Sequence, residues 1–103
     1  MTLTSKERAD LRARAHHLAV MVHIGHQGIT ETVRQTLDDG LRTRELVKIQ
    51  FARMFEGQPK QAANDIAAQV NAEVVQTIGR TATLYRENPE LHKSGEHAPR
   101  SQR

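Results

Sequence analysis

Apolar residues recur at helical spacing near the start of the chain. Leu11, Ala15 and Leu18 repeat every three to four residues, which is the spacing of one face of an amphipathic helix. The segment before them, Thr4-Ser5-Lys6-Glu7, matches the S/T-x-x-E capping box that opens many helices. The pattern therefore predicts a first helix that begins at Thr4 and runs to about residue 17.

Two further segments have the same helical spacing. In the second segment apolar residues recur at every fourth position, and Thr30 is a good N-cap residue. This pattern predicts a second helix that loosens near Gly40. A third helix is predicted between Pro59, which suits a first helical position, and Asn71, which suits a left-handed end. The apolar positions of these two helices are Ile29, Val33, Leu37 and Leu41, and then Ala62, Ala63, Ile66, Ala67 and Val70.

Alternation of apolar and polar residues indicates strands elsewhere. It predicts strands over residues 20–24, 44–51, 73–78 and 81–86. Gly79 and Arg80 separate the last two strands and predict a two-residue hairpin turn. In the second strand, the side chains expected to point inward are Val47, Ile49 and Phe51, and those expected to point outward are Leu46, Lys48 and Gln50.

The order of these elements predicts an α+β fold. A strand, a helix and a strand in succession form a parallel crossover, and the hairpin adds an antiparallel pair. We expect a two-layer α-β-α-β-α-β-β domain in which helices cover one face of a four-stranded mixed sheet. From residue 87 onward the chain has Pro, Ser, His, Gly and balanced charge without periodicity. This composition predicts one domain over residues 1–86 and a disordered tail over residues 87–103.

The composition limits the chemistry available to the chain. Lys and Arg outnumber Asp and Glu by 15 to 12, for a formal charge of +3, which permits nucleic-acid binding without requiring it. Cysteine is absent, so disulfides and thiolate chemistry are excluded. The sequence has no P-loop and no G-x-S-x-G motif, and we expect no enzymatic activity. The first residues show no apolar signal-like segment, so we expect a cytoplasmic protein.

Four of the six histidines form an H-H-x5-H-x2-H run at positions 16, 17, 23 and 26. Such a run invites comparison with a zinc site. Adjacent helical residues point in different directions, however, and the run contains no Cys, Asp or Glu. We therefore expect no metal and no cofactor. For His23 the sequence leaves two alternatives. The residue is half-buried in the sheet, or its polar side chain faces a ligand.

A G-x-x-G loop, Gly25-His26-Gln27-Gly28, lies between the first predicted strand and the second predicted helix. Glycines permit positive φ and close approach of a ligand, and the following helix N-terminus favours an anion. One class of RNA-binding domain clamps the nucleic-acid backbone with such a loop. We expect the backbone N–H groups of these four residues to bind phosphate. The alternative is an ordinary turn that touches no ligand.

Basic residues cluster ahead of this loop. Four of them fall within nine positions of the first helix, and we expect one basic side that attracts nucleic acid. Two more are expected on the outward side of the second strand, and Arg80 and Arg86 are further candidates near the hairpin. The alternative is a solvated helix face whose charges pair with neighbouring acids. The six main candidates are Lys6, Arg8, Arg12, Arg14, Arg44 and Lys48.

Four blocks of sequence together carry a family resemblance. They are Leu3-Thr4-Ser5-Lys6-Glu7-Arg8, Val22-His23-Ile24-Gly25-His26-Gln27-Gly28-Ile29-Thr30, Glu45-Leu46-Val47-Lys48-Ile49, and Val74-Val75-Gln76-Thr77-Ile78-Gly79-Arg80 with Leu84-Tyr85-Arg86. In this order they resemble the CRM domain (chloroplast RNA splicing and ribosome maturation) in its stand-alone bacterial YhbY-type form. The resemblance spans residues 3–86. It implies a fold like the C-terminal domain of translation initiation factor three.

The resemblance also implies a function. Bacterial members are RNA-binding proteins associated with assembly of the large ribosomal subunit. Their glycine loop often contains a basic residue, where this chain has His26-Gln27. We therefore expect a protein that binds precursor rRNA in pre-50S particles through its glycine loop and its basic first helix, mainly by phosphate contacts. The alternative is a protein-docking adaptor whose sheet or basic helix binds an acidic protein surface.

Overall fold

The computed structural model describes residues 3–89. The predicted α+β class and the four-stranded mixed sheet are confirmed. None of the helices in residues 3–89 combines the length and the apolar composition of a membrane-spanning segment. The elements in chain order are α1 (Ser5–Ala15), β1 (Val22–Ile24), α2 (Glu31–Arg44), β2 (Leu46–Phe51), α3 (Pro59–Gln69), β3 (Glu73–Ile78) and β4 (Thr81–Tyr85).

Local signals set the ends of the helices. Thr4 and Glu7 form the predicted capping box, in which each side chain accepts a hydrogen bond from the other residue's amide, at 3.1 and 3.0 Å. Thr30 caps α2, because its hydroxyl accepts from the Val33 amide at 3.2 Å. Asn71 has the predicted left-handed conformation beyond α3, with φ 56°. These bonds join close neighbours in sequence, which is why residue spacing was sufficient to predict them.

The strand order in the sheet is β1-β2-β4-β3. β1 and β2 are parallel, and β4 is antiparallel to both β2 and β3. β1 is shorter than predicted, since it begins at Val22 and not at residue 20. The parallel strands β1 and β2 end side by side, and the β3–β4 turn lies at the same end of the sheet. Three loops therefore meet there. We call this end the carboxyl end of the sheet.

The main core lies between the sheet and the pair α2 and α3. Val47, Ile49 and Phe51 of β2 point into this core, as predicted. The predicted apolar face of α3 is buried, and so are Leu37 and Leu41 of α2, while Ile29 and Val33 pack at its margin. One layer of helices therefore covers this face of the sheet.

α1 packs on the opposite face, which differs from the expectation that helices cover one face only. Its Leu11 contacts a second cluster of buried residues made by Leu46, Val75 and Tyr85. Leu46 does point away from the main core, but it is buried under α1 instead of reaching solvent. Val75 follows Val74 of the main core and lies on the same face as Leu46, and the register of β3 against β4 shifts beside it. The sheet thus carries apolar residues on both faces, and the second apolar patch requires its own cover.

α2 continues through Gly40, so the predicted loosening at this residue is wrong. Gly40 is buried against the side chains of Met21 and Val47. A Cβ at this position would overlap the thioether of Met21, so the absence of a side chain lets α2 approach the sheet closely. The helix also extends to Arg44. The prediction that Arg44 belongs to the second strand is therefore wrong.

The last described residues contact the domain. The Asn88 amide donates to the Glu45 carboxylate, and the Asn88 side chain donates to the Arg42 carbonyl. Residues 87–89 belong to the segment predicted to be a tail. The remainder of that segment, residues 90–103, lies outside the described residues.

Candidate functional site

The predicted glycine loop is a β-turn between β1 and α2, which we call the 25–28 turn. The Gly28 amide donates to the Gly25 carbonyl at 2.9 Å, and His26 and Gln27 are exposed at the tip. Gly28 has φ +71°, a left-handed conformation that favours glycine. The Gly28 amide is therefore used inside the turn, contrary to the expectation that all four amides face a ligand. The amides of His26 and Gln27 take no part in this closure.

The 25–28 turn leads into the N-terminus of α2. The amides of Glu31 and Thr32 lie in the first helical turn, where no intrahelical acceptor exists. Together with the positive end of the helix dipole, they favour an anion. The Glu31 carboxylate would oppose that anion, but it pairs with Arg34, whose Nε donates to Oε1 at 3.2 Å. This pairing reduces the negative charge beside the turn.

Two arginines distant in sequence lie at the same end of the sheet. Arg53 follows β2, Arg80 lies in the β3–β4 turn, and both are exposed. The Ala52 amide donates to the Ile24 carbonyl at 2.8 Å, and the Arg80 guanidinium donates to the Ala52 carbonyl at 3.1 Å. These bonds join all three loops at the carboxyl end of the sheet. Sequence reasoning missed Arg53, although a parallel crossover already places the residue after β2 beside the loop after β1.

The basic residues of α1 do not form the single basic side that was expected. Successive helical residues are rotated by about 100°, so Arg12 and Arg14 lie on opposite flanks of the buried Leu11. Lys6 is exposed on the side of α1 that faces away from the sheet. The charges of α1 are thus distributed around the helix.

Arg8 stabilises the packing of α1 against β3. Its Nη1 donates to the carbonyl of Val74 at 2.9 Å and to that of Val75 at 3.4 Å. Its Nη2 lies 3.7 Å from the Glu73 carboxylate. These contacts attach α1 to the start of β3, so the guanidinium bonds to the protein, although the Arg8 side chain is 35% exposed.

The α1 charges and the 25–28 turn lie at opposite ends of the sheet. α1 packs over Leu46, whereas the turn lies beyond the other end of β2, about 17 Å away at roughly 3.3 Å per strand residue. Lys48 lies between them, half-buried, and its ammonium donates to the Leu18 carbonyl at 3.3 Å. Arg44 is exposed at the far end of α2. Of the ten predicted site residues, only the four of the 25–28 turn therefore lie at the carboxyl end.

Arg86 lies far from the hairpin near which it was expected. Its Nη1 donates to the Asp38 carboxylate at 2.8 Å and to the Val70 carbonyl at 2.7 Å, and its Nη2 donates to the Asp38 carbonyl at 3.0 Å. The hydrogen bond from Arg86 and its charge hold the pKa of the Asp38 carboxyl below its usual value. Arg86 thus joins α2 to the end of α3.

The histidine run is dispersed in three dimensions. His23 is exposed beside Gln50 on the sheet face opposite to the main core, so the half-buried position left open for it is wrong. His26 is exposed at the tip of the 25–28 turn. Among residues 3–89, no three His, Asp or Glu side chains come together as a metal site.

The fold and the site define an α+β domain with a G-x-x-G turn at the start of a crossover helix. Residues 3–86 match the sequence model of the CRS1/YhbY (CRM) domain. The chain belongs to this family, as its resemblance predicted.

Several similar proteins span nearly the same length. The chain is 30% identical over 94 residues to "Probable RNA-binding protein PA4753" of Pseudomonas aeruginosa, which covers 91% of this chain and 90% of that protein. It is 32% identical over 88 residues to "Probable RNA-binding protein YqeI" of Bacillus subtilis, at 85% and 92% coverage. The solution structure of the hypothetical protein SAV1595 from Staphylococcus aureus is similar in fold, with a TM-score of 0.72 and 33% identity over 84% of this chain and 91% of that one.

Proposed function

We propose that this protein binds RNA and that the 25–28 turn holds the phosphate backbone. The observation that carries the proposal is the position of this turn, whose exposed tip adjoins the uncapped amides of α2 and two exposed arginines, Arg53 and Arg80. Amides and arginines bind phosphate regardless of base sequence. The RNA-binding names of the relatives in Pseudomonas aeruginosa and Bacillus subtilis support the same partner.

The RNA is, in our proposal, precursor rRNA of the large ribosomal subunit, bound in pre-50S particles in the cytoplasm. This finer assignment rests on the YhbY-type resemblance. The burial of the aromatic residues supports recognition of RNA by its backbone and shape. Of the three aromatic residues, Phe51 and Tyr85 are fully buried and Phe55 is half-buried. Modules that read RNA by stacking need exposed aromatic rings.

Substitution at the tip of the turn tests RNA binding. Gln27→Asp places a carboxylate where phosphate is proposed to bind, and a repulsion of about 1–2 kcal/mol at 5 Å corresponds to a roughly 5- to 30-fold weaker affinity. Gln69→Asp is the matched control, because Gln69 is also exposed but ends α3 at the other end of the sheet. Fluorescence anisotropy with a labelled fragment of large-subunit rRNA measures both. Equal affinities for the two variants, with intact circular dichroism, would contradict the proposed site.

Sedimentation tests the proposed association of the protein with pre-50S particles. In a sucrose gradient of cell extract, the protein should co-migrate with immature large subunits at low salt. It should leave them at high salt, because counterions compete for phosphate contacts. Mature subunits should carry less of it. Protein that stays at the top of the gradient at low salt, or that is equally abundant on mature subunits, would exclude an assembly role.

A further inference from the structure

The loop after β2 contains a second turn at the carboxyl end of the sheet. The Phe55 amide donates to the Ala52 carbonyl at 3.0 Å, which closes a β-turn with Arg53 and Met54 at its tip. We call this the 52–55 turn. Met54 is 63% exposed, and among residues 3–89 only Ile78, at 60%, is a comparably exposed large apolar residue.

The base of the 52–55 turn is fixed on both sides. On one side, the Ala52 amide bonds to the end of β1 and the Ala52 carbonyl accepts from Arg80. On the other side, the Phe55 ring packs against Phe51, with ring centroids 4.8 Å apart. The same ring borders Gly28, where a Cβ would lie 3.8 Å from it. Met54 is therefore presented by a supported turn directly beside the 25–28 turn.

An exposed apolar side chain close to cations suits a ligand with both an apolar face and a negative charge. Arg53 precedes Met54 in the turn, and Arg80 is bonded to the base of the turn. A nucleotide combines a flat base with a phosphate, and the polarisable thioether of methionine makes favourable contacts with aromatic rings. Inside a paired RNA helix the base faces are stacked on one another, so away from the helix ends only an unpaired nucleotide presents such a face.

We propose that the 52–55 turn forms a second wall of the RNA site. In this arrangement Met54 packs on the face of one unpaired base, while Arg53 and Arg80 contact phosphates of the strand whose backbone lies on the 25–28 turn. The inference rests on the proposed RNA-binding function and adds its substrate class, which is RNA with an unpaired loop or bulge. It also assigns a binding role to Met54.

Two RNA probes test this inference. One is a stem–loop with an unpaired loop, and the other is a blunt duplex with the same number of base pairs. Met54→Ser should weaken binding of the stem–loop by about 3- to 10-fold and leave duplex binding within twofold. Met54→Leu, which keeps an apolar side chain, should retain most of the stem–loop affinity. Arg53→Gln should reduce the salt slope by about one on the stem–loop.

The outcomes separate this inference from the proposed function. If Gln27→Asp weakens binding of both probes but Met54→Ser changes neither, RNA binding stands and the role of Met54 is refuted. That result would also be expected if Met54 docks on a protein. Equal losses for Met54→Ser on stem–loop and duplex would refute the preference for an unpaired base. If Gln27→Asp changes neither probe, the phosphate site itself is refuted.

Discussion

Replacing Arg86 by alanine should lower the free energy of unfolding by about 2.5–4 kcal/mol without changing the RNA affinity of the folded protein. The guanidinium makes three hydrogen bonds, to the Asp38 carboxylate and to the carbonyls of Asp38 and Val70. In the alanine variant, the part-buried carbonyls of Asp38 and Val70 lose the guanidinium as their hydrogen-bond donor. The substitution therefore loosens the junction of α2, α3 and β4, and it leaves the carboxyl end of the sheet untouched.

The magnitude follows from the exposure of the partners. The Asp38 side chain is 49% exposed and that of Arg86 is 21% exposed, so the ion pair contributes only about 0.5–1 kcal/mol. The two bonds to carbonyls are part-buried, and each charge-assisted bond contributes roughly 1–1.5 kcal/mol. For a domain of this size, the total corresponds to a decrease in Tm of about 10–25 °C.

The effect should depend on pH. In the folded protein the pKa of Asp38 is lowered from its ordinary value of 3.8. The ion pair therefore stabilises the fold fully above that ordinary value, and its contribution is lost as pH falls through the lower folded value. The difference in stability between wild type and Arg86→Ala should be largest at neutral pH and should narrow below about pH 4.

Urea and thermal unfolding, followed by far-UV circular dichroism, measure these differences. Arg42→Ala is the matched control, because Arg42 pairs with Asp39 on the same helix but with side chains that are 59% and 69% exposed. We expect its effect to remain below about 0.5 kcal/mol. If Arg86→Ala were no more destabilising than Arg42→Ala, the role assigned to Arg86 would be wrong.

Three further substitutions test other contacts. Arg8→Gln should lower stability by about 1–2 kcal/mol in urea unfolding, because the β3 carbonyls lose a charged donor; unchanged stability would show that Arg8 does not hold α1. Gly40→Val should lower the free energy of unfolding by about 1–3 kcal/mol, because its side chain would displace Met21 and press on Val47, and an unaltered Tm would contradict close packing there. Thr30→Ala should cost about 1 kcal/mol through loss of the α2 cap, with Thr32→Ala, exposed in the same helix, as the control that should change little.

Local residue patterns were sufficient to predict the helices and strands and their order along the chain. Thr4, Thr30, Pro59 and Asn71 set helix ends through bonds and backbone angles that involve only near neighbours. Alternation in β2 correctly separated the two faces of that strand. The glycine loop was also recognisable, because strand, G-x-x-G, N-cap and helix follow one another directly.

Which side chains face the protein and which face solvent depended on contacts between segments that are distant in sequence. Arg8 and Arg86 looked like free cations in the sequence, yet each bonds to residues more than 15 positions away. Gly40 looked like a weak point of α2, yet it permits close packing against Met21. Leu46 and Val75 belong to an apolar patch on the second face of the sheet, and α1 covers this patch.

The same distinction holds for the candidate site. Residues 25–28 were predicted because their chemistry lies in one short segment. Arg53 and Arg80 join that turn only because the parallel β1–β2 pair and the β3–β4 hairpin direct three separate loops to one end of the sheet. Residue spacing reports interactions between near neighbours. Contacts between distant segments depend instead on strand order, register and the close packing of whole elements, which the sequence pattern does not specify.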